Sequence, residues 1–275
     1  MESFTLRLSQ DELALLLEAL DITHLGGSPV AAMQPLAPDQ AVLVRPAVQR
    51  GLLARGLVLP MVDGSLAIDG ALQRLLRLCA YPDAALLITS RSGDSELRQQ
   101  EAYFRLGELT VRHTMPLDGV HELTLLAEMP DIASAVVAWL GERTAEVVQP
   151  ALRLTLSPEV LEQAQAAANQ GQAAMAQARL VESGAPANAA GWLASALTNP
   201  TARLLAVVLS PHLTGAPSAL TLLCDRQRCW SVATQDGPPP SIALETVDVA
   251  TVSASLRELV ELWSTPAEEG SAPGG

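Results

Sequence analysis

The sequence predicts an α+β protein of two pseudo-symmetric halves, each an antiparallel sheet with flanking helices, the two sharing one core. Three observations carry this. A strand, cap and helix open the chain at FTLRLSQDEL and recur at LRLTLSPEVL. A proline precedes a doubled leucine and an apolar run in both YPDAALLITS and NPTARLLAVVLS, with Pro82 and Pro200 118 positions apart (200 − 82). A helix carrying a tryptophan near its end closes each half.

In the opening segment Phe4, Leu6 and Leu8 alternate with polar residues, the period of a strand. Ser9 and Glu12 have capping-box spacing, in which each satisfies a backbone amide near the other. Leu13, Leu16, Leu17 and Leu20 then give one apolar stripe at helical spacing. The Gly- and Pro-rich ITHLGGSPVAAMQPLAPDQ reads as a loop. After Pro82, AALLITSR, EAYFRLG, ELTVRHT and HELTLLAE read as strands, with turns at Gly107-Glu108 and PLDG. DIASAVVAWL closes the half, with Ile132, Val136, Trp139 and Leu140 on one face.

The second half repeats this plan. Leu152, Leu154 and Leu156 alternate, Ser157 caps, and Pro158 occupies a first-turn position where its missing N–H costs nothing. The caps Ser9 and Ser157 are 148 positions apart (157 − 9), so the first half holds about 30 extra residues before its proline. RLLAVVLS, SALTLLC, RCWSVAT and SIALETV read as strands, separated by turns at DRQR and QDGPPP. The closing helix ASLRELVELW places Leu256, Leu259, Val260 and Trp263 on one face. The halves span residues about 1–141 and 151–264 of a single pseudo-duplicated domain, and 265–275 is a disordered tail by composition. A lone three- or four-stranded sheet is marginal, so the halves are expected to share a core and unfold together. The Ala/Gln-rich stretch 163–179 carries few large apolar side chains; it reads as a solvated helix or as one that packs on a partner.

Composition excludes several functions. A formal charge of −13 argues against a nucleic-acid backbone as partner. All 17 basic residues are arginine, and the loose group Arg45, Arg50, Arg55, Arg74 and Arg77 reads as solvated faces. Apolar runs such as LLAVVL are too short to span a membrane, and MESFTLRLSQDEL has no secretory pattern, which points to the cytoplasm.

No catalytic, cofactor-binding or metal-binding residue is assigned. Cys79, Cys224 and Cys229 lack metal-ligand spacing. CDRQRC places Cys224 and Cys229 across a hairpin-length turn, and all three cysteines are expected to be reduced thiols. His113 and His121 read as polar positions on a half-exposed sheet, while His24 and His212 read as loop residues. Neither a nucleophile elbow nor a Gly-rich phosphate loop is present, and a chain without lysine cannot supply a P-loop lysine. The reading is not an enzyme, and no cofactor is expected.

LSQDELALLLEALDI, the stretch GLLARGLVLPMVDGSLAIDGALQRLLRLCAYPDAALL and the closing VDVATVSASLRELVELW together resemble the EspG family associated with type VII (ESX) secretion. The resemblance covers most of the chain through apolar pattern. It implies a cytosolic chaperone of two pseudo-symmetric halves that holds a helical secretion substrate before export. Family contacts to substrate lie in variable loops and a central sheet; none transfers to a numbered residue here. The expected partner is therefore a protein, with an exposed apolar patch either capped by that partner or buried in a homodimer. The alternatives are a winged-helix-containing transcriptional regulator, since LLARGLV followed by DGSLAID reads as a helix and small wing, and an uncharacterised ligand-binding domain or enzyme.

Overall fold

A computed structural model describes residues 4–25, 38–62, 66–93, 98–144, 152–210, 218–235 and 237–265. The chain runs β1 (Phe4–Ser9), α1 (Gln10–Ala19), α2 (Pro38–Ala54), β2 (Val58–Pro60), β3 (Leu66–Ile68) and α3 (Gly70–Ala80). Four strands follow, β4 (Ala84–Ser92), β5 (Arg98–Leu106), β6 (Leu109–Leu117) and β7 (Val120–Leu126), then α4 (Ile132–Gly141). The remainder holds β8 (Arg153–Leu156), α5 (Pro158–Asn169), α6 (Ala173–Glu182), α7 (Ala187–Thr198), β9 (Ala202–Leu209), β10 (Ser218–Cys224), β11 (Cys229–Gln235), β12 (Ser241–Val247) and α8 (Val249–Ser264).

The local signals act as their chemistry requires. Ser9 accepts from the Glu12 amide at 3.1 Å, and the Glu12 carboxylate accepts from the Ser9 amide at 2.8 Å, closing the capping box. Ser157 caps α5 at Val160, with Pro158 in the first turn. Asp131 and Asp248 accept from the first-turn amides of Ser134 and Thr251, starting the two closing helices.

All ten large strands form one antiparallel sheet in the order β1-β7-β6-β5-β4-β9-β10-β11-β12-β8, beside a separate β2–β3 hairpin. Read inward from either edge the order is alike: a short opening strand, then the fourth to first strands of a meander. The two proline-marked strands, β4 and β9, are each other's neighbours, with Ile88 opposite Ala206 midway along the ladder.

Because side chains alternate across a strand, each face carries its own packing. One face holds α4 and α8 over a core that draws Leu86, Ile88 and Leu140 from the first half and Leu204, Val208 and Trp263 from the second. The Trp263 indole N–H donates to the Ala84 carbonyl at 3.3 Å, and the buried Arg105 guanidinium donates to the Trp263 and Thr265 carbonyls. The end of the last helix is thereby fastened to strands of the first half. The opposite face carries α1–α3 over a leucine-rich core with Phe104, and α5–α7 over another with Trp230. In place of one core there are three, and the central one is shared.

The stretch 163–179 is corrected by the structure. It breaks at Gly171, whose φ of 74° suits glycine, and it is neither solvated throughout nor left for a partner. Ala164, Ala167 and Ala168 of α5 and Ala176 and Leu180 of α6 are buried against α7. Alanine lets helix axes approach closely, so little side-chain volume fills the interface. The loop expected before α2 falls largely in residues 26–37, outside the described residues, as do His212 and the tail from 266.

Candidate functional site

The two helix groups on the second face leave the middle of the sheet incompletely covered. There β4 contributes Leu87, Thr89 and Arg91, and β9 contributes Val207, Leu205 and Arg203, paired in that order across the ladder. Leu205 is 38% exposed, unusual for a leucine on a central strand. A cavity of about 440 Å³ opens beside this strip, with Leu161 and Gln165 of α5 and Leu197 of α7 on one side and Leu223 among its floor residues. A space of this size with mostly apolar walls and a few polar groups has the composition of a binding site.

Two charged groups line it, Arg91 and Arg203, and the less exposed of them is Arg203. Its Nη2 donates to the Leu197 carbonyl at 3.4 Å, at the C-terminal end of α7 where carbonyls favour a cation. Its Nε is buried with no hydrogen-bond partner. Burial, and next the neighbouring Arg91 charge, push its pKa down. A second exposed apolar group lies on α2 and around the β2–β3 hairpin, at Val42, Leu43, Leu59, Met61 and Val62.

The residues singled out from sequence fall elsewhere. His113 and His121 are not half-exposed: they are 5% and 4% accessible, which corrects the sequence reading. His113 keeps the strand phase of Val111, and His121 that of Leu123, so both point into the core below α1–α3. His113 Nε2 and His121 Nδ1 are 2.9 Å apart, and the rings stack with centroids 5.2 Å apart. Burial, then the His121 charge, pushes the His113 pKa down to about 4; burial lowers that of His121. Among the described residues no cluster of three or more His, Cys, Asp or Glu side chains could hold a metal.

Cys224 and Cys229 do lie opposite each other on adjacent antiparallel strands, with Cα atoms 4.0 Å apart. Their sulfurs are bonded, which corrects the expectation of three free thiols. The hairpin brings them together: the Asp225 amide donates to the Arg228 carbonyl, and Asp225 Oδ1 accepts from the Gln227 and Arg228 amides. Cys79 is a free, buried thiol whose pKa burial drives far upward. Of the scattered arginines, Arg45 pairs with Glu18 and Arg55 with Glu12, so two of these charges are neutralised locally. The helix-and-wing segment is the end of α2 plus the β2–β3 hairpin, and α3 buries Leu72, Leu75 and Leu76. His24 is exposed, against Thr23.

No family model matches the chain, and no curated protein matches it. Among solved structures it superposes on a chain of the Mycobacterium tuberculosis type VII secretion system chaperone EspG5 in complex with the PE25–PPE41 dimer. The TM-score is 0.58 over 94% of this chain and 96% of that one, at 15% identity.

The fold is EspG-like. At that identity the likeness concerns the backbone architecture alone. The central strip was hidden from sequence reasoning because it exists only once β4 and β9 pair. The available signal was Leu205 and Arg203 in phase on one strand, opposite in face to the buried Leu204 and Ala206. No helix among the described residues is long and apolar enough to cross a membrane.

Proposed function

We propose that this chain is a non-enzymatic protein-binding protein, a cytoplasmic EspG-like chaperone or adaptor that holds an apolar helical segment of a secretion-substrate-type partner. The observation that carries the reading is the half-exposed apolar strip on β4 and β9, set between two helix groups in an EspG-like fold. A central strand ordinarily has both faces covered. Leaving Leu205 at the surface forgoes burial free energy of about 25 cal/mol per Å², which a docking partner recovers. Helix-in-groove recognition uses such a surface, with apolar anchors entering pockets and the rim remaining polar. The protein compared above is itself described as a chaperone bound to a protein dimer.

The test is affinity capture from the native host with wild type and Leu205→Glu, followed by reconstitution of the complex from purified components. A stoichiometric protein that binds wild type and fails to bind Leu205→Glu supports the proposal. Capture unaffected by the substitution, or a partner-free monomer that turns over a small molecule, overturns it.

A further inference from the structure

The cavity by β9 holds an electrostatic arrangement that folding alone does not call for. Arg91 and Arg203 are directly opposite on neighbouring antiparallel strands. Like charges in that position destabilise a sheet. Arg203 is also partly desolvated, with a buried Nε that has no partner. Among the described residues no carboxylate lies within ion-pair distance of it, and its contact to Leu197 is long. A partly desolvated guanidinium that lines an apolar recess without a carboxylate beside it is satisfied best by an anion that brings its own acceptor oxygens.

We infer that the cavity beside Arg203 is a carboxylate-recognising subsite, which takes an acidic side chain carried on the apolar docking segment of a protein partner. The inference rests on the docking reading above and deepens it. The choice of a protein source follows from continuity: the cavity shares Leu205 and Thr89 with the strip on β4 and β9, so a segment lying on the strip passes its mouth. The walls specify the stem. Leu161, Leu197 and Leu223 reward an apolar side chain or helix face and give nothing to a small hydrated anion. The chain's net charge of −13 repels free anions at long range, so recognition depends on contact within the cavity.

The experiment uses the full chain and three probes: decanoate, decan-1-ol and acetate, each followed by calorimetric titration and by shifts of leucine methyl signals. Wild type is expected to bind decanoate about tenfold or more tightly than decan-1-ol, the gain from a charge-assisted hydrogen bond, and acetate not to saturate. In Arg203→Met, which keeps the unbranched stem, the preference falls to within about twofold. Failure of decanoate to bind, equal binding of decanoate and decan-1-ol to wild type, acetate binding as tightly as decanoate, or an unchanged preference in Arg203→Met overturns the subsite. Removing one of two opposed charges is also expected to leave the thermal midpoint of Arg203→Met level or raised. A lowered midpoint assigns Arg203 to the end of α7 and overturns the proposal. Partner capture separates this from the docking reading: loss in Leu205→Glu with unchanged affinity in Arg203→Met sinks the subsite and leaves the docking surface standing. A stoichiometric fatty acid in native mass spectra of protein from the host overturns the protein source.

Discussion

Acid should destabilise this protein through His113 more than its charge alone suggests. The perturbation is a shift from pH 7 to pH 4, in wild type and in His113→Leu. Burial, and then His121, hold the folded-state pKa of His113 at about 4, against 6.5 in the unfolded chain. A lowered pKa means that stability is full above pH 6.5 and declines as the pH falls toward 4, because the unfolded chain takes up the proton first. The 2.5-unit interval (6.5 − 4) corresponds to about 3 kcal/mol at 1.36 kcal/mol per unit. That is a large part of the 5–15 kcal/mol typical of a folded domain. The assay is urea unfolding at several pH values, read as free energy against pH. His113→Leu is less stable at pH 7, since it strips His121 Nδ1 of its partner, but its decline between pH 7 and 4 should be smaller by about 3 kcal/mol. Parallel curves for the two proteins would refute the reasoning, because they would mean that His113 carries no perturbed proton.

Three further outcomes follow from the Cys224–Cys229 bond and from the packing. Thiol titration of denatured protein without reductant should give one reactive group, Cys79, and three after reduction; three at the outset would show the Cys224–Cys229 bond open in solution. We propose that residues about 1–141 and 151–264 are two copies of one unit that unfold together, so calorimetry should show a single transition. Trp263→Ala should lower its midpoint by removing a buried side chain worth about 3–5 kcal/mol. Two well-separated transitions would contradict the shared central core.

What was legible in the sequence was what neighbours in the chain decide. The cap at Ser9 and Glu12, the proline-led start at Ser157, and the apolar faces of α4 and α8 depend on contacts three or four residues apart, and each is where its spacing placed it. The strands were legible as segments because their alternation is local. Their partners were not: nothing near Pro82 says that β4 pairs with β9, and the central strip depends on that pairing. The histidines show a missed local signal. Val111 and His113, like His121 and Leu123, share a strand phase with core residues, and the polar identity of histidine outweighed the phase. Alanine misled in the opposite sense. In α5 and α6 small side chains were taken for weak packing, whereas they permit close helix contact.

The pairing of β4 with β9 also has a consequence for how the chain is made. When β4 leaves the ribosome, β5 follows within a few residues and covers one of its sides. Its other side waits for β9, whose first residue, Ala202, comes 118 positions after Ala84 (202 − 84). At roughly 5–20 residues per second that is a delay of about 6–24 s. Throughout it Leu86 and Ile88 stand on an open strand edge, and their face, which α4 covers in part, is completed only when α8, the last of the described elements, arrives with Trp263. An unpaired apolar edge is a template for association with other chains. On polysomes, where nascent copies are crowded together, the first half of this protein is therefore the part most in need of help from a holdase.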